Sequence, residues 1–198
     1  MSDFPISVFN LKCSVASRLV AFSAAVYPIL PDFKGDEMQE TARLDQVARD
    51  SQTNYTRHSA LFVRHWDSWA SPKRSHIFVQ SYAFGREGAI QLCGKPVDIM
   101  FGQDADSPVP PFGGKEDFDL THTESGPEVV FAQRLHRPGM AWSTDTNIFT
   151  VPSPLILLVP RCSAQHVRHV RVACACVSGG HDSRQGSQGG GTACARVV

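Results

Sequence analysis

The chain has 198 residues, 42% of them hydrophobic, with 19 basic and 19 acidic side chains, 15 Gly and 13 Pro. That length suits one domain, or one domain with a tail. A formal net charge of zero argues against nonspecific nucleic-acid binding, which needs clustered positive charge, and no apolar run approaches the roughly 20 residues that cross a bilayer. The start, Met1-Ser2-Asp3-Phe4-Pro5, has neither a basic region nor an apolar stretch of the signal-peptide kind. Of the six Cys, Cys13 and Cys93 stand apart and the other four follow residue 160. Reduced thiols and a cytoplasmic setting are the expectation.

Short apolar runs recur between turn signals, the pattern of an all-β domain. Arg18-Leu19-Val20-Ala21-Phe22-Ser23 is the first. A helix then interrupts the series over Asp36 to about Ser51, a stretch without Gly or Pro and rich in helix formers. Asp36 can cap it with Gln39 as capping-box partner, and Asp45 and Arg49 form an i,i+4 pair. Its modestly apolar stripe is Leu44, Val47, Ala48 and Ser51. Leu61-Phe62-Val63 precedes an aromatic cluster, and His76-Ile77-Phe78-Val79-Gln80 follows a Ser-Pro-Lys-Arg turn. Ala89–Cys93 ends at Gly94, Glu128–Ala132 follows Ser125-Gly126-Pro127, and Asn147–Val151 ends at Pro152. β-Branched and aromatic residues dominate these runs, which fits central strands buried on both faces. Arg18–Ser23 also aligns weakly with Pro127–Ala132 at an offset of 109, about two blade lengths of a β-propeller.

The composition breaks near residue 151. Residues 1–150 hold 14 Lys+Arg and 18 Asp+Glu, a net −4, whereas residues 151–198 hold five Arg and one acid, a net +4. All 12 Phe, 3 Tyr and 3 Trp precede residue 151, and aromatic side chains carry much of the buried area that offsets chain entropy. Val167–Val177 has the composition of a strand without a clear period, and Ser178–Thr192 reads as flexible Gly/Ser/Gln coil. Two domains of unequal kind are expected: residues 1–151, folded, and residues 152–198, a low-complexity tail that is disordered or translated from a shifted frame. Such a frame shift in a GC-rich gene would give this bias toward Arg, Gly, Ala, Ser, Cys and Val.

Several segments in fixed order resemble one family. Val20–Pro28 is followed by the acidic helix, then by Leu61–Trp69 with Arg64-His65-Trp66-Asp67-Ser68-Trp69, then by Arg74–Val79. Later come Pro111–Gly114 with Glu116-Asp117-Phe118, then Glu128–Phe131, and Ala141-Trp142-Ser143-Thr144 leading to Ile148. Residues 5–151 resemble the propeller domain of the prolyl oligopeptidase superfamily of serine peptidases, on the dipeptidyl-peptidase V branch beside acylaminoacyl peptidase. The Arg-His-Trp-Asp-x-Trp and Ala-Trp-Ser-Thr segments are its specific elements. The resemblance implies a partial β-propeller of about three blades with one inserted helix. In the family this domain restricts access to an α/β-hydrolase domain with a Ser, Asp, His triad. Peptide substrate would then be bound only in the intact enzyme, with no nucleic-acid or membrane partner. No Ser here has Gly at both −2 and +2, so the strained elbow that exposes such a nucleophile is missing. No catalytic, cofactor-binding or metal residue is assigned, and no cofactor is expected. The other reading is a stand-alone β-rich binding module. Three blades cannot close a propeller ring and would expose apolar faces, with poor solubility or reliance on a partner as the consequence.

Four groups carry residue types suited to chemistry. Arg64, His65, Trp66, Asp67 and Trp69 either face the peptidase tunnel or pack between blades, with Lys73 or Arg74 pairing with Asp67, and packing is favoured. Glu37, Glu40 and Asp45 lie on the helix. Helix carboxylates bind the substrate amino terminus in some relatives, but a solvated face is favoured here. His166, His169, Cys174, Cys176 and Cys194 do not match zinc-ligand spacing. Gly113-Gly114-Lys115 lacks the rest of a phosphate loop, and a turn between blades is expected.

Overall fold

The computed structural model describes residues 4–28, 32–53, 55, 57–58, 61, 63–85, 89–137, 139–152 and the backbone of 175–176. A four-stranded antiparallel sheet opens the fold, in the order β1 (Val8–Ser14), β2 (Leu19–Val26), β5 (Arg74–Phe84), β6 (Ile90–Asp98). Between β2 and β5 the chain inserts helix α1 (Glu37–Asp50) and a small hairpin of β3 (Arg64–His65) and β4 (Ser68–Trp69). The second sheet has β9 (Gly126–Leu135) as its spine. β10 (Asn147–Val151) pairs along one edge of β9, and β8 (Phe118–Thr123) and β7 (Ala105–Asp106) along the other. The short β11 (Ala175–Cys176) extends it beyond β10. The chain is thus mostly β with one helix, and the described sheets do not close on themselves.

Burial explains which runs became strands. β2 and β5 are central in the first sheet and buried on both faces over most of their length, as their unbroken apolar sequences require. Leu19, Ala21, Ile77 and Val79 from one face meet Phe118, Val129, Phe131 and Val151 of the second sheet. Val20, Phe22, Phe78 and Tyr82 on the other face are covered by Met38 of α1 and by Phe4 and Ile6 of the N-terminal segment. Phe22 stacks on Phe78 at 5.9 Å and Phe4 tilts against Phe22 at 5.1 Å. β6 and β10 depart from the expectation of two buried faces. Each is largely exposed, because each lies toward the edge of its sheet. β9 alternates, with Pro127, Val129, Phe131 and Gln133 inward. Leu61 and Val63 lie outside any strand, and Phe62 lies outside the described residues.

Helix α1 starts where its cap places it. Asp36 accepts a hydrogen bond from the Gln39 amide at 3.1 Å, satisfying one of the free first-turn donors. Its contact face is not the expected stripe. Met38 and Thr41 are the buried residues, Thr41 Oγ1 accepts from the Tyr27 amide, and Val47 is exposed. The helix therefore docks through its first turns, and its second half projects into solvent. Asp45 pairs with Lys73 at 3.0 Å rather than with Arg49, which donates to Gln46.

β7 ties the two sheets together at one end. It pairs with β9 by Ala105↔Leu135 and Asp106↔Arg134. It also engages the start of β5, where Ser107 N donates to Ser75 O at 2.8 Å and Asp106 Oδ1 accepts from Ser75 N at 2.8 Å. Gly113 and Gly114 form a turn that links β7 to β8 within the second sheet, so it does not run between sheets. There Gly113 N donates to Val109 O, and Asp117 accepts from Val109 N. Cys93 is buried on β6 and disulfide-bonded, which corrects the expectation of reduced thiols at that position, and Cys13 is a free exposed thiol. The other tail cysteines and both tail histidines of the zinc reading, like Ser178–Thr192, lie outside the described residues, with Cys176 present as backbone only.

Candidate functional site

The Arg-His-Trp-Asp-x-Trp segment lines one cleft, and Met140, next to the Ala-Trp-Ser-Thr segment, lines it from the other side. One wall is the β3–β4 hairpin. Trp66 takes a left-handed backbone (φ 55°) at its tip, and Arg64 Nε donates to the Trp66 carbonyl at 3.0 Å. The Arg64 guanidinium lies 5.5 Å from the Trp69 ring centroid. The opposite wall is the end of β9 with the single 3-10 turn Met140–Trp142. Arg134 donates to the Met140 carbonyl at 2.6 Å and to the Ser143 carbonyl. The floor comes from the start of β5 and the segment after β7. The cleft holds about 160 Å³ and is lined by His65, Ser68, Trp69, Ala70, Ser71, Lys73, Arg74, Asp106, Val109, Pro110, Pro111, Arg134, His136 and Met140.

Its charges are mostly paired from behind. Lys73 meets Asp45, and Arg74 Nε donates to Asp104 at 2.6 Å while its Nη1 donates to the Ser71 and Lys73 carbonyls. His136 Nδ1 lies 3.4 Å from Asp104. Burial pushes the Asp106 carboxyl above the usual range, against the pull of the Ser75 amide and of Arg74, His76 and His136. A carboxylate in a low-dielectric wall is held there only because such partners surround it.

Deeper still, His76 and Asp98 form a buried pair, with Nδ1 and Oδ2 2.6 Å apart. Burial opposes charge on His76, but Asp98 outweighs it, so the imidazole is held above its ordinary value. Asp98 also accepts from the Met100 amide at 2.8 Å. Glu37, at the start of α1, is pushed up to about 7 by burial, reinforced by Asp98 and Asp36. The His76–Asp98 pair has the chemistry of two members of a proton relay, but among the described residues no hydroxyl bonds His76 Nε2.

Several expectations are corrected here. The hairpin tryptophans are not packed in a core. Trp66 is 74% exposed and Trp69 is 69% exposed, because a two-residue strand pair presents its side chains to solvent instead of to a facing sheet. The Trp66 ring meets the exposed Phe112 edge to face at 5.9 Å. Asp67 accepts from its neighbour Ser68, while Lys73 and Arg74 go to Asp45 and Asp104. The three helix carboxylates do not share a solvated face. Glu40 does pair with Arg43 at 2.7 Å on the surface, whereas Glu37 and Asp45 turn toward the sheet. Sequence reasoning missed Arg134, His136, Asp106 and the His76–Asp98 pair. Each pairing is set by strand register, and only the position of Arg134 beside the second specific segment hinted at it.

Comparison with known proteins gives the family context. Dipeptidyl-peptidase 5 of Trichophyton equinum and that of Arthroderma benhamiae are each 32% identical to the chain over 126 residues. Dipeptidyl-peptidase 5 of Arthroderma otae is 33% identical over 102 residues. The chain is related to dipeptidyl-peptidase 5 proteins. The match takes in 60% of the chain but 15% of the length of the first two relatives, and 48% and 13% for the third. No family model matches, and no solved structure matches.

Proposed function

We propose that the chain is the noncatalytic part of a dipeptidyl-peptidase 5-like serine peptidase, a partial β-propeller of about three blades that gates the entry of short peptides to a hydrolase domain. The observation that carries the reading is the 32% identity over 126 residues. The fold supports it. A four-stranded antiparallel meander is the unit of a propeller blade, and the first sheet has that form. The two segments related at an offset of 109 also occupy equivalent places. β2 lies between β1 and β5, and β9 lies between β8 and β10. Residues 152–198 are the tail of this reading, of which Ala175–Cys176 adds a short strand to the second sheet.

The parent activity would release short peptides through an acyl-enzyme intermediate, with serine, base and oxyanion donors supplied from outside this chain. The purified chain should not cleave dipeptidyl-arylamide substrates. Turnover sensitive to a serine-directed inhibitor would overturn the assignment of a noncatalytic role. The exposed Trp66, Trp69 and Phe112 favour a second reading, a binding module acting without any hydrolase partner. Supplying the hydrolase domain of a dipeptidyl-peptidase 5 separates the two, because only the first reading expects the chain to change its cleavage of long against short peptides.

A further inference from the structure

The cleft has one cation that makes no hydrogen bond to a carboxylate among the described residues. Lys73 and Arg74 are matched by Asp45 and Asp104. Arg134 has only the Met140 and Ser143 carbonyls as hydrogen-bond partners among the described residues. Asp106, its register neighbour on β7, turns instead to the Ser75 amide. Those two carbonyls fix the guanidinium plane and leave its remaining donors for a ligand, and His136 lines the same space. Both bonds use Nη2, so Nε and Nη1 are left to donate charge-assisted hydrogen bonds singly to a carboxylate. The Asp106 carboxylate in the same wall offsets one positive charge and so disfavours a phosphate dianion more than a monoanion. The volume of about 160 Å³ is well below the roughly 300 Å³ at which drug-sized sites begin, so the occupant is a single side chain or chain end. The Trp69 face on the rim would cover the aliphatic part next to it.

We propose that this cleft binds a carboxylate of a peptide, held by Arg134 with His136 beside it. The peptide nature of the ligand rests on the function proposed above, and the carboxylate chemistry rests on the cleft alone. The test is a tryptophan-fluorescence titration of the full 198-residue chain at neutral pH. Three peptides are compared: acetyl-Ala-Glu-Ala-amide, its Gln counterpart, and acetyl-Ala-Gln-Ala with a free carboxyl end. At least one of the two carboxylate peptides should bind ten-fold or more tightly than the amide, and which one does so tells a side chain from a chain end. Arg134→Gln should abolish that preference, and Arg134→Lys should keep part of it. His136→Gln leaves the Arg134 carbonyl contacts in place and should weaken the carboxylate peptide about three-fold while sparing the amide. It therefore decides the matter should Arg134→Gln fail to fold. Equal binding of all three peptides, or a preference that survives both the Arg134→Gln and His136→Gln changes, overturns the inference. Either result leaves the dipeptidyl-peptidase relationship standing, since that is tested by cleavage.

Discussion

The central strands of the first sheet and the hairpin inserted between them use aromatic residues in opposite ways. Phe22 and Phe78 are about fully buried and stacked, and Phe118 and Phe131 are buried likewise in the second sheet. Trp66 and Trp69, and also Trp142 on its 3-10 turn, stand in solvent. The difference teaches that aromatic content says little without the element that carries it. A residue on a long strand between two neighbours faces another layer on each side, whereas one on a two-residue strand or a single turn has no layer to face. The phenylalanines of the central strands build the body, and the three tryptophans mark its surface.

Removing a buried ring should be the sharpest break. Phe78→Ala deletes a ring that is 0% exposed and should cost about 3–5 kcal/mol in urea unfolding. His76→Leu should cost a similar or slightly smaller amount, because it strands the buried Asp98 carboxylate. The same pair gives a pH signature. His76 holds its proton more tightly folded than unfolded, so its contribution is complete below about pH 6.5 and is lost as pH rises through the folded value. Glu37, raised to about 7 by burial, acts with the same sign, since the folded chain again binds the extra proton. Stability should therefore fall from mildly acidic to mildly alkaline pH, and Glu37→Gln should flatten that fall below about pH 7.

A smaller effect is expected at the turn between β7 and β8. A Cβ on Gly113 would fall against the Val109 backbone and the Asp117 carboxylate, so Gly113→Ala should cost about 1–3 kcal/mol by thermal unfolding. At the bottom of the scale, Trp66→Ser should change stability by no more than about 0.5 kcal/mol, as a solvent-facing side chain would. A loss as large as that of Phe78→Ala would show that the hairpin is packed after all and would erase the contrast.

The parts of the fold that could be read in advance are those where local chemistry and packing agree. Asp36 as cap and the unbroken runs at Leu19–Ser23 and Ile77–Val79 are examples. β1 escaped because its apolar Phe9 and Leu11 point outward and Asn10 sits at a bulge with a left-handed backbone (φ 56°). β7 and β8 escaped because they are short and owe their existence to one edge of β9. The local signals mark the helix itself but not the face it buries. The period marked Leu44 and Val47, yet the sheet receives only the first turns, through Met38 and Thr41. In the cleft, the specific segments were visible, but the cations that face it were not. Arg134 and His136 alternate along an ordinary-looking strand end, and only the β9–β7 register brings them opposite the hairpin.

β7 consists of two residues, yet it is bonded to β9 on one side and, through Ser75, to the first strand beyond the insertion on the other. It works as a rivet. Sliding one layer past the other would break these hydrogen bonds, so they fix the register of the two layers at this end of the cleft.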